Sequence, residues 1–288
     1  MFIEAFGHTD IGKERLQNED SYVCIQFSLS PSKDQPESID SVYLAAVADG
    51  MGGHSGGEIA SSMAIDTLRE KAFSSLRDEN PSPEMRSLLE DSFQEANRKI
   101  FQLASQEERL VGMGTTLVAS LLFKGKAFIA NIGDSRAYLY RHQTLNQITR
   151  DHTWRAEQLK NNSISEEEIY ESPFQNMVTR SLGFDSDLVV DIFEVDLQDE
   201  DYLLLCSDGL YNPVSSEKIL KIFKRHKTAE KICKKLIQSA CQKGGQDNIT
   251  AVVVQLRDIL PKDRKKPSVK DTVKLDSIED KLKKKEPT

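Results

Sequence analysis

The stretch from Val42 to Gly53, VYLAAVADGMGG, decides how this chain folds. Its first seven residues are a short, continuous apolar run, which fits a strand buried on both faces. Such a strand needs a packing layer on each side. The run ends abruptly at Asp49 and passes into a glycine-rich turn, where backbone can approach a ligand closely.

Upstream of it, residues 1–10 and 20–29 are rich in Phe, Ile, Tyr and Val and read as strands, and the polar, proline-containing Ser28–Ser41 reads as a loop. Downstream, apolar residues recur at helical spacing over Gly57–Leu76 and Pro83–Leu110. The period then changes. Thr115–Leu122, Ala127–Ile132, Ala137–Tyr140 and Leu145–Ile148 read as strands of an antiparallel meander with tight turns. Asp151–Leu182 is polar and helical or irregular. Leu188–Val195 and Tyr202–Cys206 are strands, Ser215–Phe223 and Thr228–Gln242 amphipathic helices, and Ile249–Leu256 (ITAVVVQL) a last buried strand. This order predicts an α+β protein with sheets packed on each other and helices outside.

The bulk numbers narrow the class. A chain of 288 residues with 38% hydrophobic residues can build one large domain or two small ones. The net charge of −8 argues against a general nucleic-acid binder. No run of about 18 apolar residues suggests a membrane span, and the N-terminal MFIEAFGHTD lacks the pattern of a secretory signal. Cys24, Cys206, Cys233 and Cys241 are scattered and form no CxxC pair, as expected of reduced thiols in the cytoplasm. Residues 257–288 carry 11 Lys/Arg and 7 Asp/Glu with no aromatics, so this Lys-rich tail is expected to be disordered or partly helical. It is +4 and leaves −12 on residues 1–256, the expected folded domain.

Carboxylates recur in one setting. Asp49 follows VYLAAVA, Asp208 follows YLLLCS, Asp247 precedes ITAVVVQL, and Glu19-Asp20 opens SYVCIQF. A lone Asp before Gly at a strand end usually makes a turn or caps a helix. Several acids gathered at one sheet edge would repel one another unless cations neutralise them. Oxygen-only ligands suit Mg²⁺ or Mn²⁺, and no His/Cys cluster competes for zinc.

Eight ordered blocks carry a resemblance. RLQNED (15–20), VADGMGGHSGGEIAS (47–61), GMGTTLVAS (112–120), NIGDSRAYLYR (131–141), TRDHT (149–153), NMVTRSLG (176–183), LLLCSDGLYN (203–212) and GGQDNITAVVV (244–254) together resemble the metal-dependent Ser/Thr protein phosphatases of the type 2C (PPM) class. The resemblance spans about residues 1–256. It implies a four-layer αββα sandwich, two mainly antiparallel sheets flanked by helix pairs. It also implies hydrolysis of phosphoserine and phosphothreonine on proteins by a metal-bridged hydroxide, in opposition to a cognate Ser/Thr kinase, in a cytoplasmic monomer. By the same resemblance Asp49 bridges two metals, Asp20 and Glu19 belong to the same site (Glu19 through water), Gly50 offers its carbonyl, and Asp208 and Asp247 are ligands. Asp134 shares a third ion with Asp208, and Arg15 grips substrate phosphate, for which a guanidinium fork is suited.

Met51 stands where the eukaryotic branch has a histidine after Asp-Gly, which points to a bacterial-type enzyme and leaves the general acid unassigned. His54 is a weak candidate for that role, His152 reads as structural, and His8 and His142 as surface-turn residues. Thr115 and Thr116 match a family strand, explained equally by packing. Trp154 reads as an anchor of the polar 151–182 flap, which either selects substrate or is a plain surface helix pair. Two rival functions remain at this level, an inactive phosphatase-fold binding module and a hydrolase of small phosphoesters. Loss of a metal acid would signal the first, and all are present.

Overall fold

A computed structural model describes residues 2–29, 41–52, 56–77, 84–161, 164 and 166–258. In chain order the elements are β1 (Phe2–Asp10), β2 (Asp20–Ser28), β3 (Ser41–Met51), α1 (Gly56–Arg77), α2 (Met85–Gln106), β4 (Gly114–Thr115), β5 (Leu117–Phe123), β6 (Lys126–Ile132), β7 (Arg136–Arg141) and β8 (Thr144–Gln147). There follow α3 (Trp154–Asn161), α4 (Glu166–Glu171), β9 (Asp191–Asp196), β10 (Tyr202–Cys206), α5 (Asp208–Tyr211), α6 (Ser216–Arg225), α7 (Ala229–Gln242) and β11 (Ile249–Arg257). The N-terminal loop sequence, Gly53–Ser55 with His54, and the tail beyond Asp258 lie largely or wholly outside the described residues.

The strands form two antiparallel sheets, β1-β11-β10-β7-β8 and β2-β3-β5-β6-β9, with β4 paired to β3. Strand alternation builds three apolar layers. Val42, Leu44, Ala46 and Ala48 of β3 point to α1 and α2, meeting Ala64, Leu68, Leu89 and Phe93. Tyr43, Ala45 and Val47 point the other way, onto Leu203, Leu205, Val252 and Val254 of the second sheet. The outer face of that sheet, through Leu204, Cys206 and Val253, packs on Ile219, Phe223, Leu236 and Ile237 of α6 and α7. The opening apolar run is thus covered on both faces, and the architecture is the expected α+β four-layer αββα sandwich.

Some boundaries differ. The second helix ends at Gln106 and yields to a short 3-10 turn at Glu108–Leu110. β9 starts at Asp191 rather than Leu188, because the Leu188 carbonyl accepts from Gln94 Nε2 of α2 (2.9 Å) instead of joining a strand ladder. His8 is a correction: it lies within β1 opposite Ala251 and is half-buried, not in a surface turn. The run FIEAFGHTD simply continues as strand through the histidine. His142 does sit in the β7–β8 turn, exposed, with φ of 49°.

Candidate active site

Antiparallel pairing puts the end of one strand beside the start of the next. The C-terminal ends of β3 and β10 and the N-terminal ends of β2 and β11 therefore meet at one edge of the sandwich. Asp20 and Asp49 are direct cross-strand partners there. Asp208 follows β10 and Asp247 precedes β11, whose ladder pairs Cys206 with Ala251.

These acids sense one another. Burial pushes the Asp49 carboxyl well above the usual range, reinforced by the charges of Asp20, Asp208, Asp134 and Asp247. Burial likewise pushes Asp20 up to about 7, with Asp208 and Asp247 adding to the rise against hydrogen bonds from Thr250 and Ser207. Asp134 is pushed up to about 7, by burial and then by Asp208 and Asp151. Asp208 is raised by burial and by Asp247, while its carboxyl stands in hydrogen-bonding range of Asp49. Burial also raises Glu19, against the pull of Arg15. Four aspartates and Glu19 thus sit in surroundings that disfavour their ionised forms.

The surrounding residues hold these acids in place. The Asp49 amide donates to Thr116 Oγ1 (3.1 Å), the Thr116 amide to the Asp49 carbonyl (2.9 Å), and the Thr115 hydroxyl to that same carbonyl (2.9 Å). The two threonines therefore fix the end of β3 beyond simple packing. Ser207 Oγ donates to Asp20 Oδ2 (2.7 Å) and accepts from the Thr250 amide (3.0 Å). Asp20 Oδ1 is buried and has no hydrogen-bond partner. Gly50 donates its amide to the Glu19 carbonyl (3.1 Å), and a Cβ there would fall 2.1 Å from the Gly57 carbonyl oxygen. The first turn of α1 thus closes over Gly50, and Gly57 lies against the Glu19 carboxylate.

Arg15 reaches across from the β1–β2 connection. Its Nη2 donates to Asp247 Oδ2 at 2.8 Å, with both side chains part-exposed. That connection is stapled by Asn248. The Asn248 amide nitrogen Nδ2 donates to the carbonyls of Ile11 (3.0 Å) and Gln17 (2.9 Å), and its Oδ1 accepts from the Glu19 amide (2.8 Å). Asn18 adds a second tie, donating to Thr9 Oγ1. Neither asparagine's role was read from the sequence, although both lie inside the quoted blocks RLQNED and GGQDNIT.

Asp134 has its own support. Tyr211 OH donates to the Asp134 carbonyl (2.9 Å) and is 3.2 Å from its Oδ2. The Arg136 guanidinium lies 3.6 Å from the centre of the Tyr211 ring and forks onto Asp151 (2.9 and 2.6 Å). His152 accepts from the Gly133 amide at Nδ1 (3.1 Å) and donates its own backbone amide to the Gly133 carbonyl, so it holds the turn that precedes Asp134. Burial keeps its pKa below the ordinary histidine value. Trp154 opens α3 and donates its amide to the Met177 carbonyl (2.9 Å), closing the 151–182 segment on itself.

Could cations sit here? Among the described residues, no three Asp, Glu, His or Cys side chains by themselves enclose a metal ion. The donor set still fits hard cations that keep much of their water, as Mg²⁺ and Mn²⁺ do. It is all oxygen and mutually repelling, with Asp20 and Asp134 buried, and it includes an unpartnered carboxylate oxygen on Asp20.

Residues 5–249 match the family model of protein phosphatase 2C. The chain belongs to the protein phosphatase 2C family. Among curated proteins it is 38% identical over 256 residues to serine/threonine phosphatase stp of Listeria monocytogenes, covering 89% of this chain and 96% of that one. Its structure resembles the crystal structure of the Mycobacterium tuberculosis serine/threonine phosphatase PstP/Ppp (TM-score 0.75, 32% identity, 89% of this chain and 99% of that one). It also resembles a PstP catalytic domain in complex with two manganese ions (TM-score 0.73, 32% identity, 89% and 99% covered). The protein is a metal-dependent serine/threonine protein phosphatase of bacterial type, an enzyme rather than an inactive binding module. No helix among the described residues is long and apolar enough to cross a membrane.

Proposed function

We propose that Asp20, Asp49, Asp208 and Asp247, with Glu19 and the Gly50 carbonyl, hold two divalent cations, Mn²⁺ or Mg²⁺, and that Asp134 with Asp208 holds a third. The observation that carries this reading is the direct cross-strand pairing of the buried Asp20 with Asp49, whose ionised form burial and the Asp20 charge both disfavour. When bound, the ions supply a water of lowered pKa and positive charge against the phosphoryl oxygens. Arg15, tethered to Asp247 and half-exposed, swings its fork onto the substrate phosphate and holds two of its oxygens. The chain's carboxylates keep the site electronegative, and Asn248 keeps Arg15's segment against β11.

The substrates proposed are phosphoserine and phosphothreonine proteins, opposed by a cognate Ser/Thr kinase, in a cytoplasmic, monomeric enzyme. Residues 1–256 form the catalytic unit and 257–288 an appended tail.

The test combines two measurements. Calorimetric titration of the chelator-treated protein with Mn²⁺ should show at least two sites. Hydrolysis of a phosphothreonine peptide should require added Mn²⁺ or Mg²⁺ and stop on chelation. Metal-independent turnover, or full binding by Asp49→Asn, would sink this assignment.

A further inference from the structure

On the face of α6 and α7 turned away from the sheets lies a groove of about 730 Å³. Lys218, Lys221, Lys224 and Arg225 of α6 line it on one side, and Lys235 of α7 on the other. Lys218, Lys221 and Arg225 fall at i, i+3 and i+7, so they form one stripe along the helix. No carboxylate lines the groove. The one acid of α6 is Glu217, which feels the Lys221 charge, and the one acid of α7, Glu230, is engaged by Lys234 at 2.6 Å. Lys235 is held by the neutral Gln238 (2.8 Å). A run of cations with no carboxylate lining the groove beside it, on a protein of net charge −8, is a focused local field.

The groove is continuous with chain segments that adjoin two of the site aspartates in sequence. Through Lys218, Ser239 and Gln242 it continues into a second hollow of about 370 Å³ bordered by Pro213 and Lys243. Pro213 lies five residues after Asp208, and Lys243 four residues before Asp247. The Gly245 carbonyl just beyond Lys243 accepts from the Lys13 amide (2.7 Å), two residues from Arg15. The ten-residue α6 is about 15 Å long, enough for roughly four or five extended residues alongside it.

We propose that this groove docks a carboxylate-rich segment of the same phosphoprotein substrate whose phosphorylated residue enters the catalytic centre. The proposal rests on the carboxylate cluster being that centre. A concave, cation-lined groove, continuous with a hollow whose rim is four or five residues in sequence from Asp208 and Asp247, fits an extended acidic chain better than a flat lipid surface. It has no Phe, Tyr or Trp side chain on which nucleic-acid bases would stack, His226 being its one aromatic ring. The chain's own 257–288 segment is net positive, so its charge does not complement the groove.

The test uses the full chain with Mn²⁺ and two phosphothreonine peptides that differ only in a flanking run of glutamates or glutamines. The wild type should show a KM about 3- to 10-fold lower for the glutamate peptide at equal kcat, the gap closing as salt rises. The double variant Lys221→Glu/Arg225→Glu should abolish that gap, leaving turnover of the glutamine peptide and of a small aryl phosphate unchanged. The milder Lys221→Gln/Arg225→Gln should do the same. Equal KM values in the wild type, or a gap that survives both variants, would overturn the proposal. So would loss of anionic-vesicle or DNA binding in variants whose peptide preference is intact, since the groove would then serve that ligand. Hydrolysis of the glutamine peptide by the wild type reports separately on the catalytic centre.

Discussion

Asp20 and Asp49 face each other as direct cross-strand partners, where β2 begins and β3 ends, and both are withdrawn from water. Like charges opposite one another in a sheet are destabilising. Asp49→Asn removes one of the two charges and keeps the shape. The metal-free protein should melt at a higher temperature than wild type. Mn²⁺ affinity should fall by more than the roughly 10- to 100-fold that loss of an outer-shell partner costs, and phosphopeptide turnover with it. Thermal unfolding and calorimetry on one preparation check both directions.

The pH dependence of the metal-free protein follows from the raised carboxyls. Asp20 and Asp134 titrate at about 7 in the fold, against an ordinary value of 3.8. The folded state thus holds more protons than the unfolded chain between about pH 4 and 7. The stability they contribute is full below pH 4 and is lost as pH rises through 7. In the chelator-treated protein these groups should lower the melting temperature from pH 5 to 8, and Mn²⁺ should restore it most at pH 8. A pH-independent Mn²⁺ stabilisation would refute the linkage.

Arg15 holds Asp247 through a single nitrogen, Nη2. Arg15→Lys keeps the charge and loses the fork. KM for phosphopeptide should rise about tenfold with Mn²⁺ affinity unchanged, because one charge-assisted hydrogen bond is worth roughly 1.5–3 kcal/mol. Steady-state kinetics beside a Mn²⁺ titration separate the two effects.

Asn248 serves three backbone groups from one buried side chain. Asn248→Ala leaves the Glu19 amide and two carbonyls unmatched and should destabilise the fold by about 2–3 kcal/mol. Hydrogen exchange should quicken at Ile11–Glu19 more than in β5 and β6. Uniform acceleration would argue for a general rather than local loss.

Tyr211→Phe deletes the hydroxyl that binds Asp134 while keeping the ring under Arg136. The weakest Mn²⁺ site in a calorimetric titration should weaken further, about 10- to 100-fold, with the two tighter sites unmoved. Equal weakening of all sites would place Asp134 elsewhere in the cluster.

The sequence by itself determined the elements and the family. VYLAAVA can bury both faces only between layers, the apolar periods define helices and strands within a few residues, and the eight blocks fix their order. It also marked Asp49, Asp208 and Asp247, because an acid ending an apolar strand is a local pattern. Only the tertiary structure decided who meets whom. That Asp20 lies opposite Asp49 depends on strand register, which a one-residue slip would undo. That Asn248 holds Glu19 and Ile11, and that Tyr211 reaches Asp134, depends on contacts between residues 77 to 237 positions apart. The same holds for the cations of α6 and α7. As sequence they are ordinary solvated helix faces. Packing brings the two helices together and leaves their charges lining one groove, because both apolar faces are already spent on the sheet beneath.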